Sequence, residues 1–599
     1  MSIKKVQIAS WLIPALILTL SACDSTSAIE EEDVVIADPI ALSTLSCDIE
    51  GINADPFTVA DAMLDNDADH EDTADYTYDA ATATTIALDG ITASIDGTGA
   101  TSVDGIVTVA APGTYVLSGT LTDGQIIVDT PEDGAVKLVL AGASITSSSD
   151  SGIRVDNADR AVLILAEGTT NTITDGTIYP ATAEQNAAVW SDDDLSIGGT
   201  GTLTVNAQFQ DGIASKDGLV IRDGTIAVNA PDEGIRGKHY LVVRGGVLDI
   251  TAGGDGIKSD EEDDDTRGYI LIEGGTISID AEGDAITAET DALFSEGTLS
   301  IRAGGGANIT PSDDLSTKGL KGAVMVVVDD GTFNVDTSDD GIHANDTVLI
   351  NGGSIEIATG DDGVHADLGL TINGGDITLT QSFEGLEAVL GDLVINGGTL
   401  DITAIDDGFN LSGDGDDPGG VESPGDPYDM VFNGGMITIT SGSDGIDSNG
   451  SIEMTNGCLA IAGPVPGIRP EQGAIDYNGD FAISGGVLLA AGAAGRMAQT
   501  PGTSSTQPSV AITFSTPQAP GTLVTLESAG GSVAIAPGKS FQSLIASAPW
   551  LSMDDTITVY RGGTVSGSSS DEMFNGGTVN GATVVGTVTV SAIITSVTL

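Results

Sequence analysis

A segment of about 22 residues recurs through the middle of this chain: two acids, a glycine, an aliphatic residue, a short apolar run, Asn-Gly-Gly, then a second alternating run. It reads Asp339-Asp340-Gly341-Ile342-His343, then Val348-Leu349-Ile350, Asn351-Gly352-Gly353 and Ile355-Glu356-Ile357. It returns as Asp361-Asp362-Gly363-Val364-His365 with Asn373-Gly374-Gly375, and again through Glu384-Gly385, Asn396-Gly397-Gly398 and Asp406-Asp407-Gly408. The step is 22 residues from Gly353 to Gly375 and 23 from Gly375 to Gly398. Such short units cannot bury an apolar face alone, so they must stack as a solenoid. Three alternating runs per repeat predict three short strands per coil, an all-β parallel β-helix. Ile, Val and Leu then point into the bore while Thr, Ser, Asp and Glu face water. Asn-Gly-Gly sits where the chain must turn sharply, because glycine adopts positive φ without cost and asparagine tolerates it.

With 81 glycines and 4% aromatic residues in 599, the chain is extended and repetitive rather than an ordinary compact enzyme. A net charge of −70 argues against a nucleic-acid partner. Residues 1–22 carry Lys4 and Lys5 and an apolar run from Ile8 to Leu20 that is too short to span a bilayer but suits a signal peptide. Leu20-Ser21-Ala22-Cys23 looks like the lipobox of bacterial lipoproteins, which would make Cys23 a lipidated residue and its lipid the sole contact with a bilayer. The expectation is a bacterial envelope protein, membrane-anchored and monomeric. Residues 23–75, with Glu30-Glu31-Glu32-Asp33, read as an acidic, solvated linker; 76–500 as the β-helix; and 501–599, poor in carboxylates, as a small β-rich domain capping it. Cys47 in that linker and Cys458 near the end of the helix are not expected to form a disulfide, so cysteine chemistry is not assigned a function.

Aligning the repeats on the acid-Gly step gives a column before the glycine: Asp211, Glu233, Asp255, Asp284, Lys318, Asp340, Asp362, Glu384, Asp407, Asp444. Coils stack about 4.8 Å apart, so carboxylates in such a column repel unless cations or hydrogen bonds intervene. Calcium takes several hard oxygens, and the paired acids Asp339 with Asp340, Asp361 with Asp362 and Asp406 with Asp407 are its candidate ligands; hydrogen bonds from turn amides are the alternative. Two residues after the glycine lies an outward column: Arg154, Ala214, Arg236, Lys258, Thr287, Lys321, His343, His365, Glu387, Asn410, Asp447. Four of these eleven are Arg or Lys in a chain holding only 19 such residues, and two of its 4 histidines join them. A cation row beside carboxylates could hold an anionic polymer such as a uronic-acid polysaccharide, with Arg236, Lys238, Lys258, Lys321, His343 and His365 as the contacts. Alternatively, the row neutralises the acids beside it. Insertions at Asp260 to Thr266 and Asp414 to Pro427 interrupt the same turn and are expected to wall the groove.

Gln210-Asp211-Gly212-Ile213-Ala214-Ser215-Lys216, Asp232-Glu233-Gly234-Ile235-Arg236-Gly237-Lys238 and Asp255-Gly256-Ile257-Lys258-Ser259 resemble a bacterial family of carbohydrate-binding domain-containing proteins, as do Gly113-Thr114-Tyr115-Val116-Leu117-Ser118-Gly119 and Ser540-Phe541-Gln542-Ser543. The resemblance runs from about Tyr76 to Leu599. It implies a right-handed parallel β-helix similar in shape to pectate lyases, calcium sites, and binding of cellulose or acidic plant polysaccharides such as polygalacturonate. No catalytic residue is carried over. The reading is a surface-anchored, calcium-dependent, non-catalytic binder. Two alternatives stand beside it: a pectate-type lyase whose base is Lys216, Arg236, Lys238 or Lys258, and an adhesin or structural spacer.

Overall fold

The computed structural model describes residues 36–47, 51, 55–310, 315–413, 427–469, 472–570 and 572–599. The leader, Cys23, the run Glu30 to Asp33 and nearly all of the Asp414 to Pro427 insertion lie outside these residues. Ile235–Gly237, Tyr240–Val243 and Val247–Ala252 form one coil, and Ile257–Ser259, Tyr269–Ile272 and Thr276–Ala281 the next. They pair parallel and in register, Ile235 on Ile257, Leu241 on Ile270 and Leu248 on Ile277. Repetition of this step builds a parallel β-helix. Alternation decides the core: Ile235, Leu241, Val243, Leu248 and Ile250 are buried in a cluster that runs unbroken from Ile86 to Ala490. Among the described residues no helix is long and apolar enough to cross a membrane.

The Asn-Gly-Gly turns have two physical causes. The second glycine takes positive φ, +99° at Gly375, which L side chains rarely adopt. The asparagines bond coil to coil: Asn373 Nδ2 donates to Asn351 Oδ1 at 2.7 Å, Asn396 to Asn373 at 2.8 Å and Asn433 to Asn396 at 3.0 Å. Asn373→Ala should cost about 1–3 kcal/mol, measured by urea unfolding, because Asn396 loses its acceptor in a half-buried stack. A cost no greater than that of Asn580→Ala, at the exposed end of a strand, would show that the ladder is not stabilising. The glycine of the acid-Gly step serves close approach instead. A Cβ on Gly363 would lie 2.5 Å from the carbonyl oxygen of Gly385 one coil on.

At the far end, Phe541–Ser547 pairs antiparallel with the last solenoid strand, Val487–Gly492, and Ser509–Gln518 pairs antiparallel with Phe541–Ser547. A second sheet, with Val524–Glu527, Ser532–Ile535, Thr556–Arg561 and Met573–Asn580, lies beyond it.

The described residues of the segment expected to be a solvated linker are packed onto the protein instead. Ile40 and Ala41 pair antiparallel with Val579 and Thr578. From Phe57 to Tyr76 the chain runs back along the sheet that contains Tyr240–Val243, as a strap. Val59 and Ala62 cover outward apolar side chains of that sheet, Val220, Tyr240, Tyr269, Leu293 and Val327. Arg267 bonds Asp67 at 2.9 Å, Arg244 bonds Asp69 and Glu71 at 2.6 Å each, Arg222 bonds Glu71 at 3.1 Å, and Arg160 bonds Asp75 at 2.7 Å. Its acids are matched to cations on the solenoid, which is why an acidic segment docks on an acidic protein. Cys47 and Cys458, expected to remain apart, form a disulfide across 411 residues of sequence. The strap brings Cys47 back to the last coils, a juxtaposition that local sequence does not encode.

Candidate functional site

The outward column predicted from the repeats is one straight file on one sheet. Register places Arg236 on Lys258, Lys258 on Thr287, Thr287 on Lys321, Lys321 on His343, His343 on His365, and then Glu387, Asn410, Asp447 and Asp476. Each strand here has only three residues, with the outer two buried, so the middle side chain alone projects outward. Lys238 is not in the file; it lies just past the strand and pairs with Glu261 at 3.2 Å.

Each cation of the file is paired with carboxylates, and from Arg236 to His365 most of these belong to the neighbouring acidic column. Arg236 lies 3.1 Å from Asp260 and 3.5 Å from Asp211; Lys258 lies 3.0 Å from Glu233 and 2.9 Å from Asp255; Lys321 lies 3.1 Å from Asp284. The Asp260 to Thr266 insertion therefore grips the cations through Asp260 and Glu261. His343 and His365 stack with ring centroids 4.9 Å apart. Nδ1 of His343 is 2.9 Å from Asp340, and Nδ1 of His365 is 3.1 Å from Asp362 and 2.8 Å from Glu387. Burial alone would favour neutral His365, but the carboxylates of Asp362 and Glu387 outweigh it and push its pKa up to about 11. Burial likewise disfavours charge on Lys258, yet Asp255 and Glu233 raise its pKa above the ordinary lysine value.

The six acids expected to hold calcium do not share one environment. Lys318 Nζ sits 2.9 Å from Asp339 and 2.5 Å from Asp340, an ammonium already in place beside Asp361. Asp362 faces His365, and Asp406 is paired with Arg469. Asp407 is different. With Asp444 and Asp447, which the sequence placed in the columns but not among the ligands, it offers carboxylate oxygens within 4.8 Å of one another. Among the described residues no ion pair reaches Asp444 or Asp447. Burial first, then repulsion from neighbouring carboxylates, Asp406 for Asp407, Asp407 with Asp447 for Asp444, and Asp407 with Asp476 for Asp447, raises their pKa values to about 6 for Asp407, 8 for Asp444 and 7 for Asp447. Hydrogen bonds satisfy part of this set: Asp407 accepts from the Asp444 amide at 2.7 Å, and Asp444 from the Gly473 amide at 3.0 Å. Hard, clustered, cation-free oxygens fit calcium better than the lysine-filled pair does.

Sequence reasoning also missed Trp190, which stands in the file between Arg154 and Ala214. Its coil has Ala187-Ala188 where most coils have an acid followed by glycine, so neither half of the repeat's marker is present there.

A family model described as carbohydrate-binding domain-containing protein matches residues 103–363. A protein of that description from Acetivibrio thermocellus is 39% identical over 145 residues, 22% of this chain and 51% of the relative, so the chain matches about half the relative's length. A solved structure titled as the polysaccharide lyase-like protein from C. thermocellum, a gadolinium derivative, shares 36% identity over 37% of this chain and 92% of its own, with a TM-score of 0.36. The coils from residue 103 to residue 363, carrying Arg154, Trp190, Arg236, Lys258, Lys321 and His343, are thus the part of the chain that is similar to the carbohydrate-binding domain-containing protein family.

Proposed function

We propose that this chain is a non-catalytic binder of acidic polysaccharide of polygalacturonate type, or of cellulose, that works with calcium and is held to the bacterial envelope through Cys23. The observation that carries this is the single file of Arg236, Lys258, Lys321, His343 and His365 along consecutive coils, beside a parallel file of carboxylates. A uronan bound there exchanges one carboxylate partner for another, and calcium relieves the acids it displaces. Asp407, Asp444 and Asp447 are the residues that would hold such an ion, which supplies positive charge where the file has none. The disulfide supports an oxidising, extracytoplasmic compartment. A lyase base must give up its proton, whereas carboxylates hold Lys216 and Lys258 protonated, which favours binding over proton abstraction.

Replacing Arg236, Lys258 and Lys321 together by Ser is expected to weaken retention in polygalacturonate gels by about tenfold or more, and added salt should weaken the parent protein similarly. Unchanged retention by a variant with parental circular dichroism would make the file a charge-neutralising device and the protein a spacer.

A further inference from the structure

The coil that carries Trp190 is one of the long steps along this sheet. Ile153 pairs with Val189, 36 positions on, where neighbouring coils take about 22. The additional residues form the loop from Asp175 to Asn186, whose base is pinned. Tyr179 Oη donates to Asp175 at 2.8 Å and to the Ala187 carbonyl at 2.9 Å, and its ring stacks on Phe209 with centroids 4.4 Å apart. Gln185 Nε2 donates to Asp150 at 2.7 Å. Pro180, Thr182, Ala183, Glu184 and Gln185 of the loop line one side of a pocket of about 470 Å³, open to solvent, with Arg154, Asp156, Trp190 and Asp192 on the other. Only a little of Trp190 is exposed, and Lys216 Nζ lies 5.9 Å from its ring centroid.

The geometry points to a saccharide subsite here that takes a neutral, hydroxyl-rich pyranose unit, with Trp190 at its floor. The volume suits one or two sugar rings, and a ligand pocket needs an apolar surface with a few convergent polar groups. An indole supplies that surface for sugar C–H bonds, and carboxylates accept from sugar hydroxyls. Charge selects the ligand class. Asp150, Asp156, Glu184 and Asp192 outnumber Arg154 and Lys216, and both cations are already spent: Arg154 on Asp150 at 3.0 Å and Asp156 at 2.7 Å, Lys216 on Asp192 at 2.6 Å. A uronate would therefore meet net negative charge at this end of the file, in contrast to the cationic stretch from Arg236 to His365. The inference takes only its ligand class from the carbohydrate-binding reading; the site itself stands on this cavity.

The chain has 3 tryptophans, so Trp11→Phe with Trp550→Phe leaves Trp190 as the sole indole of the full-length protein. Titration with a neutral oligomer of β-linked glucose should change its emission saturably, a galacturonate oligomer should not, and Ala183→Phe, which fills the cavity from the loop, should weaken the response by about tenfold or more. No change with the neutral oligomer, a change produced by the uronate instead, or a response untouched by Ala183→Phe would each overturn the subsite. A parent protein that is not retained by polygalacturonate, with the Trp190 response intact, would sink uronan binding along the file and leave this site standing.

Discussion

Cys47→Ser is expected to lower stability by about 2–5 kcal/mol, a large effect because the bond closes a very long loop. The disulfide joins residues 411 apart and ties the strap to the last coils of the solenoid. Cys47 and Cys458 lie in one buried core cluster with Val524, Leu526, Leu544 and Ile557, so the disulfide is shielded in the folded protein and reductant should act only after opening. The strap's other anchors are charge pairs centred on Glu71, which is buried under Arg222 and Arg244. Those pairs weaken with salt, whereas the disulfide does not. A Glu-specific protease should therefore cut after Glu71 much faster in Cys47→Ser than in the parent, most of all at high salt. Equal cleavage rates together with equal urea midpoints would show that the strap is held without the disulfide.

How far the fold was legible follows from the range of the interactions. Ile342, Leu349, Ile355 and their equivalents repeat with a period that any window of the sequence contains, so the coil, its bore and the outward file of Arg236, Lys258, Lys321, His343 and His365 could be read directly. The strap could not. Its acids have no period, and their partners lie far along the chain, Asp67 with Arg267 and Asp75 with Arg160, so the segment looks like solvated linker until the solenoid exists to receive it. The disulfide follows from the same long-range placement. Within the site, the acid column was correct as a column, but which acids lack a cation was not visible. Lys318 stands in that column one coil before Asp340, and only its reach to both Asp339 and Asp340 shows that this pair is already neutralised. Trp190 was hidden because Ala187-Ala188 replaces both the acid and the glycine that mark the repeat.

The second large effect is expected at the end of the acidic column that has no cations. In the unfolded chain the carboxyls of Asp407, Asp444 and Asp447 ionise near 3.8, whereas burial and repulsion from neighbouring carboxylates raise them to about 6, 8 and 7 in the folded protein. Between about pH 4 and pH 8 the folded state holds protons that the unfolded chain has released, so their stabilising contribution is full below pH 4 and is lost as pH rises through the folded values. The three groups interact and their shifts do not add, which puts the loss in chelator at about 3–6 kcal/mol from pH 4 to pH 8. Calcium should recover much of it at pH 8, where it takes the place of the lost protons, and little at pH 5, where the carboxyls retain them. Asp444→Asn keeps an oxygen for the Gly473 amide while removing one charge, so it should stabilise the chelated protein at pH 8 and blunt its response to calcium. Urea unfolding in chelator and in calcium at both pH values checks all of this. A midpoint insensitive to pH, or a calcium response identical in Asp444→Asn, would mean that these three carboxylates are neither strained without the ion nor its ligands.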